Sequence, residues 1–208
     1  MTSTGLDHVI PGPQSNDPAA RRYGVSAILL HWILAFALAG QVWLGWYEGD
    51  LPDNSPAQDS ALNLHMAVGL TILLLTLLRL ALRFTRPWPA LPAGMPRWER
   101  LLAQATHVLF YVLMLGLPLS GWALASLGRR PIPFWGLFNW PHLPVVAGLV
   151  APAQRRAVHH ALLTFHGTIL VWIGIALVVL HIAGALRHQF DRTPVLWRML
   201  PFMRPPAS

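Results

Sequence analysis

Cysteine is absent from the 208 residues. That excludes disulfides, iron–sulfur clusters, thiolate metal sites and cysteine nucleophiles. Lysine is absent too, so all 15 basic residues are arginine. Charge of either sign is scarce: 11% of residues are charged, against about 25% in a soluble globular chain. The balance of +7 is the usual mark of a nucleic-acid binder. Here, however, the arginines stand at the ends of apolar runs, where membrane-orientation signals belong, and no nucleic-acid partner is expected. The first 22 residues contain no apolar core of a cleaved signal peptide and read as a polar tail ending in Arg21 and Arg22.

What is present is apolar. Hydrophobic residues make up 54% of the chain, and the mean hydropathy is +0.47. The gaps between charges fall at residues 23–47, 60–78, 101–128 and 157–186. Each holds the roughly 20 residues a membrane helix needs. Helices are predicted near 25–47, 62–83, 101–126 and 160–187, an all-α integral membrane protein folded as an up-down-up-down four-helix bundle. A fifth uncharged gap, 131–154, contains five prolines and reads as a loop at the interface, with Trp135 and Trp140 near headgroup level. The domain plan is a polar tail over 1–22, a membrane domain over 23–201 and a short tail over 202–208.

Four spans put both chain ends on one side. That side carries eleven arginines: 21, 22, 79, 83, 86, 97, 100, 187, 192, 198 and 204. The other carries four, Arg129, Arg130, Arg155 and Arg156, with the acidic residues Glu48, Asp50, Asp53 and Asp59. By the positive-inside rule both termini are expected in the cytoplasm of a bacterium, with the chain multi-pass in its inner membrane.

Ionisable rings at membrane depth need a reason. His166 and His181 stand fifteen residues apart on the fourth span. Fifteen residues of straight α-helix rise about 22 Å and turn a net angle of about 60°, which leaves the two on roughly one face. His31, in the first span, matches the depth of His181. His65, opening the second, matches that of His166. Two stacked pairs, His31 with His181 and His65 with His166, suggest axial ligands to the iron of two b-type haems. Gly40 and Gly174 are small enough to let macrocycles approach. His107 lies at the depth of His31 and His181 and competes with them, or bonds a propionate or a backbone carbonyl. His8, His142, His159, His160 and His188 fall in tail, loop or headgroup positions and read as structural or solvated. A divalent-metal transporter would want carboxylates beside the histidines, and no span has Asp or Glu in its interior.

These residues carry a family resemblance. RYGVSAILLHW at 22–32, LNLHMAVGLTILLLTLLRLALR at 62–83, HVLFYVLMLGLPLSGW at 107–122 and LHIAGALRHQFDRTPVLWRMLP at 180–201 resemble the prokaryotic di-haem cytochrome b561 family. The resemblance implies two non-covalent haem b groups. It makes His31 the ligand from helix 1, His65 that from helix 2, and His166 and His181 those from helix 4, while His107 matches a family histidine that is not a ligand. One departure stands out: fifteen residues separate His166 from His181 where many relatives have fourteen, which keeps His160 as a rival. The implied function is electron exchange between the quinone pool, ubiquinone included, and a second redox partner or a small periplasmic reductant such as superoxide. It leaves open whether the chain is itself a quinone oxidoreductase or the haem-bearing anchor and relay subunit of a larger dehydrogenase. The arginines at 129, 130, 155 and 156 fit either interface anchoring or attraction of an anionic donor.

Overall fold

The computed structural model describes residues 22–85, 95–190, 195–200 and 202–203. Within them four helices are long and apolar enough to cross a membrane. The first is α1 (Val25–Gly49). The second, α2 (Pro56–Thr85), starts six residues before the expected 62. Ser55 is the reason: its hydroxyl accepts the backbone N–H of Gln58 at 3.2 Å, and Pro56 sits where a helix needs no N–H donor. The third, α3 (Arg97–Gly128), runs through Pro118 and ends at Arg129 in the left-handed conformation. The fourth span is continuous from Pro152 to Phe190. It comprises a 3-10 turn, α5 (Arg155–Thr164), a π-helical turn (Phe165–Leu170) and α6 (Val171–Phe190), with a short helix, α4 (Pro144–Leu149), before it. The four expected spans are all present, each overrunning its uncharged stretch because polar turns extend the helices past the apolar run.

The helices pack in chain order, α1 on α2, α2 on α3, and α3 on α5, the π turn and α6, whereas α1 and α6 are not in close backbone packing. Leu34, Ile72 and Met114 form the core between the first three helices. Phe36, Trp43, Leu77, Leu102 and Trp172 point outward, as they should where the solvent is lipid.

The loop at 131–154 departs from expectation. Its first part is a hairpin of β1 (Pro133–Phe134) and β2 (Phe138–Asn139). Trp135 and Gly136 both have positive φ at its turn, 52° and 72°, closed by Leu137 N–H donating to the Phe134 carbonyl at 3.0 Å. Trp135 does not lie at the level of the loop end of α2. Its indole N–H donates to Thr71 Oγ1 at 2.9 Å, twelve residues and about 18 Å along α2 from Asp59. Arg130, just before the hairpin, pairs with Asp59 at 2.6 Å. The hairpin thus descends along α2 from the one anchor to the other, and strand pairing satisfies backbone groups that a lipid-exposed loop would leave bare.

At the opposite end the C-terminal segment folds back over α1. Trp32 Nε1 donates to the Met199 carbonyl at 2.9 Å, Arg22 donates to the carbonyls of Leu200 and Met203, and Trp197 and Arg198 are buried. The tail over 1–21 lies outside the described residues.

Candidate functional site

The helix order brings the four deep histidines together two by two. His31 on α1 and His181 on α6 have ring centres 6.3 Å apart. His65 on α2 and His166 in the π turn have theirs 6.1 Å apart. An imidazole nitrogen bonded to a metal ion lies about 2 Å from it and about 1.1 Å from its own ring centre, so two rings on opposite sides of one ion stand about 6.2 Å apart. The observed separations have that length. Among the described residues no cluster of three or more His, Asp or Glu could hold a bare metal ion. Two imidazoles per site, without carboxylates, is a donor set for an ion whose other positions a macrocycle fills.

The π turn accounts for the fifteen-residue spacing. A π turn takes about 4.4 residues per revolution, so the five π residues from His166 on and the ten α residues that follow turn a net angle of about −30°. Fourteen residues of plain α-helix turn about −40°. The extra residue is absorbed locally, and the net angle differs from the straight-helix value of about 60°. His160, the rival, is exposed on α5, and its ring meets His159 at 6.1 Å.

Contacts around the rings come from positions that carried no role in the sequence. A Cβ added at Gly121 on α3 would stand 3.0 Å from His166 Cε1, and one at Gly45 on α1 would stand 3.2 Å from His65 Cε1. Glycine there lets two helices close on the rings. Neither Gly40 nor Gly174 closes on a histidine: a Cβ at Gly40 meets nothing within 4 Å, and at Gly174 only Leu113 Cδ1 at 4.0 Å, which leaves open space beside both. Ser120 Oγ lies 2.9 Å from His166 Nδ1. Gln41 Nε2 donates to the His65 carbonyl at 2.6 Å, while His65 Nδ1 and Gln41 Oε1 are buried without partners. Gly and Ser are common enough in membrane helices that only the packing reveals these contacts.

His107 lies 5.7 Å from His181, ring to ring, nearer than His31. Its Nδ1–H is donated to the Ala103 carbonyl of its own helix at 2.6 Å, the backbone bond that was one of the alternatives for it. Phe110 packs edge-on against His181 at 5.4 Å. Arg79 donates to the Ala27 carbonyl at 3.3 Å, one turn before His31, and so ties α2 to α1 beside that pair. Tyr23, outside the spans, has its phenol pushed up by burial, against the opposing pull of Arg198, Arg83 and Arg79. His188 stands 3.8 Å from Glu99, which also pairs with Arg187 at 2.7 Å. His142 donates to the Arg130 carbonyl at 2.8 Å. These two are structural, as expected, and His8 lies outside the described residues.

Residues 22–202 match the family model for prokaryotic cytochrome b561. The chain belongs to that family. It is similar to cytochrome b561 homolog 2 of Escherichia coli (strain K12), with 30% identity over 181 residues, covering 86% of this chain and 91% of the relative. It is also similar to cytochrome b561 homolog 1 of the same organism, with 27% identity over 187 residues, covering 86% of this chain and 97% of the relative. The chain is therefore a multi-pass membrane cytochrome of four spans, from a family that implies haem b and electron transfer. The residues of this cytochrome fit that group. The paired imidazoles have the right separation, His65 Nδ1 is a buried polar atom without a protein partner, and Gly45 and Gly121 leave the ring positions uncrowded.

Proposed function

We propose that this cytochrome binds two haem b groups, one between His31 and His181 and one between His65 and His166, and carries electrons between the membrane quinone pool and a second redox partner or a small reductant such as superoxide. The observation that carries the reading is the pairing of two imidazoles at 6.3 and 6.1 Å at two levels of one bundle. Haem held there by the paired imidazoles would supply one-electron chemistry. The residues do the rest. His31 and His181 bridge α1 and α6, which otherwise lack close backbone packing. Gly45 and Gly121 admit the rings of the second pair.

The distribution of arginine supports cytoplasmic termini in a bacterial inner membrane. On that orientation Arg129 faces the periplasm and lines a cavity of about 320 Å³ with Asn139, Trp140 and His142, a setting that favours an anionic donor. Arg130 is engaged by Asp59 and is less free to act that way. A second reading keeps the haems but makes the chain the relay subunit of a larger dehydrogenase.

A reduced-minus-oxidised spectrum of the detergent-purified protein, with its haem-to-protein ratio, tests the first part. A low-spin b-type spectrum at about two haems per chain is the expected result, since bis-imidazole ligation is low-spin. A colourless protein expressed with haem supplied would overturn it. Turnover of a quinone analogue by the purified chain alone would remove the relay reading.

A further inference from the structure

Ser120 sits on α3 two residues after Pro118 and one before Gly121, and is buried. Its hydroxyl donates to the Leu117 carbonyl at 2.8 Å. A hydroxyl has one proton. With that proton committed to Leu117, the oxygen accepts from His166 Nδ1, 2.9 Å away, beside the Leu117 carbonyl, which also draws on the ring's N–H. The ring is thereby fixed with its proton on Nδ1 and the lone pair on Nε2. Proline at 118 withholds the N–H that would have gone to Met114, and Gly121 brings the α3 backbone against the ring. The run Pro118–Leu119–Ser120–Gly121 is a cradle for one imidazole. Its partner ring is held differently, since His65 Nδ1 is buried without an acceptor.

We propose that Ser120 is a positioning residue that selects the Nδ1–H tautomer of His166 and, by drawing on that proton, lowers the reduction potential of the haem that His166 holds. The proposal rests on His166 being a ligand. An acceptor on the remote nitrogen makes the metal-bound nitrogen more basic, and a more basic ligand favours the ferric state. Removing the acceptor favours the ferrous state at one haem and leaves the other untouched.

The test is a potentiometric titration of the full-length, haem-loaded cytochrome, comparing wild type, Ser120→Ala and Ser120→Thr. In Ser120→Ala both haems are expected to remain and one midpoint to rise, moving its reduced-to-oxidised ratio at fixed potential by about tenfold. Ser120→Thr, which keeps the hydroxyl, restores the wild-type midpoint. Loss of one haem in Ser120→Ala but not in Ser120→Thr also supports the bond. Unchanged midpoints in Ser120→Ala, or equal shifts or haem loss in both variants, overturn the proposal. His166→Ala separates the two levels of argument. Full haem content in that variant defeats the ligand assignment itself. Loss of one haem there, with Ser120→Ala silent, defeats only the role of the serine.

Discussion

Gly121 sets how closely α3 approaches His166, and Gly45 does the same for α1 and His65. Alanine at either position places a methyl group 3.0 or 3.2 Å from a ring carbon. Such overpacking costs about 1–3 kcal/mol and displaces a ring that has to meet a partner. Gly121→Ala and Gly45→Ala are therefore expected to weaken the same haem, while Gly148→Ala, with open space around it, serves as the silent control. Haem content after gel filtration reads the difference. The same measurement tests the histidines. His31→Ala or His181→Ala removes one haem, His65→Ala or His166→Ala the other. His107→Ala leaves both, because its ring stands 5.7 Å from that of His181, closer than two rings sharing one ion between them; loss of a haem in that variant would reassign the site around His181. At this scale the pairs were legible in the sequence, because depth follows from residue count along a helix. The glycines against the rings were not, because Gly45 and His65 meet only through helix packing, which period and spacing do not specify.

The spans were legible as elements because charge cannot be placed cheaply in hydrocarbon, so gaps between charges mark them. The π turn was not. Residues FHGTIL have no composition that distinguishes π from α; its trace in the sequence is one surplus residue between two histidines. Deleting Thr168 is expected to convert the turn to α-helix and leave both haem signals intact, since about −30° becomes about −40°. Deleting Val178 from α6 instead leaves the π turn in place and swings His181 by about 100° relative to His166, which should cost a haem. Equal behaviour of the two deletions would remove the register argument. The hairpin shows the opposite error. Its prolines rightly excluded a fifth helix, but Trp-Gly is not the Asn-Gly or Asp-Gly that announces a tight hairpin, so its descent along α2 stayed hidden. A bulky residue at positive φ is strained, and the bond from Trp135 to Thr71 offsets that strain. Trp135→Gly should relieve the backbone yet lose the anchor, which tryptophan fluorescence quenching by lipid-depth probes would register as one fewer deep emitter.

For the molecule as a whole, the orientation was read from the eleven-to-four split of arginine, whereas the fold-back of the C-terminal segment had no signal beyond a few aromatic and basic residues. Trp197 is 6% exposed, and truncating it to alanine is expected to destabilise the protein by about 3–5 kcal/mol. The haem proposed between His31 and His181 should be the more affected, because Trp32, bonded to Met199, adjoins His31; a thermal melt followed in the haem band would show it. The fold-back also imposes an order in time. His31 emerges from the ribosome among the first residues of the bundle and His181 among the last, and the bond that steadies the neighbourhood of His31 awaits Met199. Neither histidine pair exists until the fourth span has entered the bilayer. On the proposed ligand assignment cofactor capture waits for that span, and a nascent chain arrested after its third helix offers iron no matched site.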